Sequence, residues 1–146
     1  MKRRATAVWS GSGLEGSGHL SGPSRVLNET PYSTATRFQN EEGKEGTNPE
    51  ELIAAAHAGC FNMALSFLLS GAGSPPDKLT TKATITIEKQ ESGGFAFTHI
   101  QLDLTGKVPG MDETKFTELA NTAKENCPVS KALSAVPMDL DVTFEK

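Results

Sequence analysis

Asn48-Pro49-Glu50-Glu51-Leu52-Ile53-Ala54-Ala55-Ala56-His57-Ala58-Gly59-Cys60-Phe61-Asn62-Met63-Ala64-Leu65-Ser66-Phe67-Leu68-Leu69-Ser70-Gly71 reads as one long helix. Asn48 is placed to be its N-cap, Pro49 takes the favoured first helical position and Glu51 falls at N3, the pattern of a capping box. Glu50 and Glu51 sit where the helix dipole stabilises anions. Beyond them nearly every face is apolar, which marks a buried helix. The small residues from Ala54 to Gly59 allow close approach of another helix. A chain of 146 residues has little material to surround such a helix, so part of its cover is expected from a second subunit.

Outward from this helix the pattern turns to β. Downstream, Pro75-Pro76 marks a linker. Thr80 to Gln90 alternates as a strand, Gly93-Gly94 is a turn, and Phe95 to Val108 returns as its hairpin partner. On that second strand Ile100, Leu102 and Leu104 share one face, and His99, Gln101 and Asp103 the other. Asp112 to Glu125 reads as a helix with Phe116, Leu119 and Ala123 on one side. Pro128 to Ser134 is a short third helix, and Met138 to Phe144 a closing strand. Upstream, Ala5 to Trp9, Arg25 to Asn28 and Tyr32 to Phe38 are strand candidates. The Gly/Ser-rich stretch from Gly11 to Gly18 reads as turns, and Gln39 to Gly46 as a charged loop. Strands, helix, hairpin, helices and strand in that order make an α+β pattern. The length fits a single domain over residues 1–146.

The bulk numbers narrow the function. Lys and Arg total 14 against 18 Asp and Glu, a formal charge of -4, which argues against nucleic acid as a partner. The Lys2-Arg3-Arg4 cluster reads as a solubilising end. No apolar run approaches the roughly 20 residues of a membrane span, and no apolar stretch follows the basic start as a secretory signal requires. A soluble, cytoplasmic protein is expected. In a reducing compartment Cys60 and Cys127 are not expected to stand as a structural staple. They are inert packed thiols or redox chemistry.

Three histidines and two cysteines are too scattered for a metal: no CxxC or HxxxH spacing occurs. No phosphate-binding glycine loop leads into a helix, and no cofactor is expected. His57 precedes Cys60 by one turn, so a thiol–imidazole contact is geometrically open. A packed or hydrogen-bonded helix histidine is the alternative. Cys60 lies mid-helix in apolar surroundings, where burial raises a thiol and leaves it inert. Cys127 precedes Pro128 at a helix start, where a thiolate is favoured. Position alone therefore makes Cys127 the nucleophile.

Four stretches together have a wider likeness. Tyr32-Ser33-Thr34-Ala35-Thr36-Arg37-Phe38, Gly46-Thr47-Asn48-Pro49-Glu50-Glu51-Leu52, Ala56-His57-Ala58-Gly59-Cys60-Phe61-Asn62-Met63-Ala64 and Asn126-Cys127-Pro128-Val129-Ser130 resemble the OsmC/Ohr family. These are the osmotically inducible proteins and the organic hydroperoxide resistance proteins. The Thr-Arg-Phe and His-Ala-Gly-Cys wording is closer to the OsmC branch. The resemblance spans essentially the whole chain, and the 11–22 and 39–46 regions match least well.

The resemblance implies β-sheets wrapped around a long central helix in an intertwined dimer, and a thiol peroxidase. It makes Cys60 the reactive cysteine, Cys127 the resolving one, Arg37 the site arginine and Glu50 its anchor, which reverses the order inferred from position. A guanidinium against the sulfur accommodates this, because it favours the thiolate and offsets burial. The implied cycle reduces an organic hydroperoxide, and hydrogen peroxide more weakly, through a Cys60 sulfenic acid and a Cys60–Cys127 disulfide. An external dithiol of lipoyl type would then reopen the bond. Independently of the family, Glu50 and Cys60 stand ten residues apart on one helix, about 15 Å of rise. If both serve one site, a two-fold dimer is expected in which Glu50 and Arg37 complete the partner's Cys60 site. Two other functions compete: a non-catalytic, stress-linked binding dimer with packed thiols, and a thiol hydrolase or transferase using Cys60 and His57.

Overall fold

The computed structural model describes residues 1–40 and 42–145, so Glu41 of the charged loop lies outside the described residues. By backbone packing the chain divides into two compact units, residues 1–52 and 53–146.

The first unit holds an antiparallel three-stranded sheet, β1 (Thr6–Ser10), β2 (Ser17–Ser21) and β3 (Thr30–Ser33), in that spatial order. The sequence expectation needs three corrections here. The Gly/Ser stretch is not all turn, since Ser17 to Ser21 pairs with both neighbours. Gly18 fits there because a Cβ would collide with the Val8 carbonyl and the Tyr32 ring. Arg25 to Asn28 is not a strand but a bend, with Arg25 and Glu29 at positive φ. Tyr32 to Phe38 is not one strand either: it leaves the sheet after Ser33 and forms the short helix α1 (Thr34–Phe38). The β-branched Thr34 and Thr36 imitate a strand pattern. A reciprocal capping box decides otherwise, with the Ser33 hydroxyl accepting from the Thr36 N–H and the Thr36 hydroxyl from the Ser33 N–H.

α2 (Pro49–Gly71) follows, unbroken over 23 residues. Asn48 caps it as expected, its side-chain oxygen accepting from the Glu51 N–H at 2.8 Å. The Glu51 carboxylate does not close the box. It accepts from the Thr47 hydroxyl at 2.6 Å instead. The C-terminus ends on Gly73 in the left-handed region, with the Ser74 N–H returning to the Leu69 carbonyl.

The second unit is built on β4 (Lys78–Lys89), β5 (Phe95–Lys107) and β6 (Met138–Glu145). β4 and β5 are the expected hairpin, antiparallel with a bulge at Thr86/Ile87, and β6 lies parallel to β5 on its other side. A parallel neighbour needs a crossover. It is supplied by α3 (Glu113–Asn126), capped by Asp112, and α4 (Pro128–Ala132).

The core of this unit joins three sources. α2 contributes Phe61, Leu65 and Leu69, and β5 contributes Ile100, Leu102 and Leu104. α3 contributes Phe116, Ala120 and Ala123. Gly106 on β5 leaves room for the Phe116 ring, whose space a Cβ would enter. The expectation of a helix buried all round is modified. Within the protomer only the stripe His57, Phe61, Leu65 and Leu69 is buried, while Met63 and Phe67 are 65% and 77% exposed. Its length also corrects the count of apolar runs. Among the described residues α2 is long and apolar enough to cross a membrane, with a mean hydropathy of 1.7. His57, Asn62 and Ser66 interrupt the run but barely alter that average. The buried stripe packs it as a core helix of this unit.

Candidate active site

Arg37 and Glu50 meet in the first unit. α1 carries Arg37 in its last turn, and the first turn of α2 carries Glu50. The guanidinium donates twice, from Nε to Oε2 at 3.2 Å and from Nη2 to Oε1 at 2.6 Å. It also stacks on the Phe38 ring at 4.9 Å. A two-point fork plus a ring face fixes a guanidinium far better than a single contact does. The pair is partly shielded, with the Glu50 side chain 12% exposed and that of Arg37 32%.

Cys60 and Cys127 meet in the second unit. Cys60 lies on the middle of α2, and Cys127 joins the end of α3 to the start of α4. Both thiols are free, and they are neighbours. Their environments differ. Cys127 is wholly buried, whereas Cys60 is only partly so. Burial first of all pushes the Cys60 thiol up, and the neighbouring Cys127 adds to that against a lowering hydrogen bond from the Val129 N–H. Burial would raise Cys127 as well. Donors from the Ser130 N–H, the Cys60 thiol, the Ser130 hydroxyl and the Val129 N–H outweigh it and bring Cys127 below its ordinary value. These residues by themselves make Cys127 the more acidic of the two thiols, as its position in the sequence indicates.

His57 does not reach for Cys60. Its Nε2 lies 2.8 Å from the Ser130 Oγ, and both residues are buried. A Cys60–His57 nucleophile pair is therefore not formed, and the hydrogen-bonded alternative holds. Burial lowers the His57 pKa and keeps the ring neutral. Its Nδ1 is buried without a hydrogen-bond partner, a cost of about 1–3 kcal/mol for an ordinary polar atom. Ser130 is the residue that inspection of the sequence passed over. Its signal was its spacing, three positions after Cys127 on a helix, which turns it back towards the thiol. Among the described residues no group of His, Cys, Asp and Glu is arranged to hold a metal ion.

Residues 41–141 match the family model described as OsmC-like protein. The chain belongs to the OsmC-like family. This OsmC-like chain is 46% identical over 133 residues to Peroxiredoxin OsmC of Escherichia coli (strain K12), covering 91% of this chain and 90% of that protein. It is 34% identical over 129 residues to the organic hydroperoxide resistance protein OhrB of Bacillus subtilis (strain 168), covering 88% of each. Superposed on the crystal structure of B. subtilis OhrB, it gives a TM-score of 0.67 at 29% identity over 97% of this chain and 98% of that one. An OsmC-like protein from Mycoplasma pneumoniae shares the fold with a TM-score of 0.78 at 18% identity, covering 100% and 99%. The α+β architecture with its long α2 is thus the OsmC/Ohr fold.

Proposed function

We propose that this chain is a soluble, cytoplasmic thiol peroxidase that reduces organic hydroperoxides in stress defence, with all 146 residues serving as one OsmC-like domain. Relatives named for peroxiredoxin activity and for organic hydroperoxide resistance support the reaction class. The observation that carries the assignment to residues is the contact between two free thiols of unequal exposure. A peroxide reaches the partly exposed Cys60 before the buried Cys127.

Cys60 as thiolate attacks the O–O bond. That bond breaks, ROH leaves with a proton, and the sulfur becomes a sulfenic acid. Cys127 then displaces the oxygen as water and forms the Cys60–Cys127 disulfide. An external dithiol of lipoyl type reduces that disulfide by exchange and is itself oxidised. Because burial raises the Cys60 thiol and Cys127 is the more acidic of the pair, the first step calls for a cation at Cys60. Arg37, steered by Glu50, supplies it.

The unbroken α2 argues for where that Arg37 comes from. Glu50 and Cys60 are separated along it by about 15 Å of rise, too far for one first turn to serve both. In a two-fold dimer, Arg37 and Glu50 of the partner complete each Cys60 site, and the exposed Met63 and Phe67 give α2 an apolar face for that contact. This apolar setting also favours an alkyl or aryl hydroperoxide over hydrogen peroxide in kcat/KM.

The test is cumene hydroperoxide added to the parent, Cys127→Ser and Arg37→Ala proteins, with free-thiol titration and peptide mass spectrometry. A Cys60–Cys127 disulfide in the parent, a halted Cys60 sulfenic acid in Cys127→Ser and slow oxidation of Arg37→Ala support the assignment. Thiols untouched at neutral pH would return the protein to a binding dimer.

A further inference from the structure

Lys2, Arg3 and Arg4 read in the sequence as a solubilising end, but the fold gives them neighbours. β1 begins where β2 ends, with Thr6 opposite Ser21 in the antiparallel register, so residues 2–5 run beside the loop 22–29. Lys2, Arg3 and Arg4 on one side and Pro23, Ser24 and Leu27 on the other line a cavity of about 620 Å³. We propose that this end of the first sheet is a docking surface for an anionic phospholipid bilayer, formed by Lys2, Arg3, Arg4, Arg25 and Val26.

Charge singles this end out. Residues 1–30 hold four Lys and Arg against two Glu, whereas residues 31–146 hold 10 against 16. Of the two, Glu15 lies in the turn at the opposite end of the sheet, beyond the Ser10–Ser17 pair. Glu29, at the foot of the loop, is the acidic residue of this end. Among the described residues, Lys2, Arg3, Arg4 and Arg25 take part in no ion pair, and all four are exposed. Their charge is therefore open to lipid phosphates, whose negative surface potential attracts clustered Lys and Arg.

The loop adds an apolar tip. The Gly22 N–H donates to the Leu27 carbonyl at 2.9 Å, and the Arg25 N–H to the Gly22 carbonyl at 3.0 Å. The Glu29 N–H donates to the Ser21 hydroxyl at 3.1 Å. Arg25 stands at φ 64°, in the left-handed region that a residue with a Cβ rarely takes. A loop tied in this way leaves Val26 86% exposed next to Arg25. Cations that stay with the headgroups and an apolar side chain that enters the acyl boundary are the combination a bilayer surface rewards.

Other anionic partners fit less well. A small phosphate ligand calls for enclosed donors, and these charged side chains are all exposed. Single-stranded nucleic acid calls for rings on which bases stack, and residues 1–5 and 22–29 contain none. A duplex backbone gives the exposed Val26 nothing to enter. Docking stands apart from the peroxidase assignment, and only its use rests on that reading. An apolar hydroperoxide concentrates in a bilayer, so a peroxidase held there meets it at higher concentration.

The experiment is co-sedimentation of the full chain with vesicles of phosphatidylcholine, alone or with about one-third phosphatidylglycerol, in about 0.05 M and 0.3 M NaCl. Binding is expected on the anionic vesicles and not on the neutral ones, weakening about tenfold or more between the two salt concentrations. Arg3→Gln combined with Arg4→Gln should weaken it about 25-fold, roughly fivefold per cation. Val26→Ser should weaken it about fivefold, by a factor that salt does not alter. In vesicle-free buffer these variants should consume cumene hydroperoxide at the parental rate. Equal binding to both kinds of vesicle overturns the inference, as does parental binding by either variant. Release by inorganic phosphate at constant ionic strength overturns it in favour of a free-anion site. A parent protein that binds anionic vesicles but consumes no peroxide overturns the peroxidase assignment instead and leaves the docking surface standing.

Discussion

Arg37 illustrates how much one side chain is asked to do. Its fork onto Glu50 and its stacking on Phe38 exist without any substrate, so the cation is preorganised. A neighbouring positive charge lowers a thiol by about 1–3 pH units. Arg37→Ala is therefore expected to slow Cys60 oxidation at pH 7 by tenfold or more, with most of the loss recovered at alkaline pH where the thiolate forms unaided. Arg37→Lys keeps the charge but not the fork, and should fall between the two in stopped-flow measurements of peroxide consumption. His57 yields a second expectation at this scale. Its folded pKa lies below the ordinary 6.5 because burial disfavours the imidazolium. The unfolded chain therefore binds a proton that the folded one resists, and stability falls as pH drops below about 6.5. Thermal melts from pH 8 to pH 5 should show this acid loss in the parent protein and less of it in His57→Gln.

At the scale of elements, the contrast between what was legible and what was not has a physical origin. The β4–β5 hairpin, α3 and β6 announce themselves by one dominant period each, and α2 by its long apolar run, with clear boundaries at Asn48-Pro49, Gly93-Gly94 and Asp112. The first fifty residues do not. Thr34 and Thr36 carry β propensity, yet Ser33 and Thr36 cap each other and make a helix. The Gly/Ser-rich stretch up to Gly18 looks like turns, yet Ser17 to Ser21 is a strand and Gly18 is what lets β1 and the Tyr32 ring approach. For the candidate site, family likeness singles out Cys60, Cys127, Arg37 and Glu50, whereas local position points to Cys127 as the attacking thiol. The local electrostatics agree with that position, so it was the difference in exposure between the two thiols that sequence could not display. Ser130 was missed because a lone serine after a Cys-Pro pair has no period and no charge. The cap at Asp112 gives a clean test of element stability: its carboxylate accepts from the Lys115 N–H at 2.9 Å. Asp112→Ala should cost about 1 kcal/mol in chemical denaturation without altering the peroxide rate constant.

For the whole molecule, the Arg37–Glu50 pair lies in one compact unit, residues 1–52, and the two thiols in the other, residues 53–146. The apolar face that α2 shows around Met63 and Phe67 is the expected seam of the proposed dimer. Glutamate at both positions should lower the mass measured by sedimentation to that of one chain and remove peroxidase activity with it. A dimer that persists at low micromolar concentration would speak against this seam.

A helix that does not bend fixes the distance between what stands at its start and what stands at its middle. If each working centre borrows across the two-fold axis, defects can be complemented in trans. Arg37→Ala, slow alone at pH 7, and Cys60→Ser, inactive alone, should regain activity once unfolded together and refolded as a mixture. Random pairing makes half the assemblies mixed. Each of these holds one centre with both parts intact, so about a quarter of the parental turnover should return.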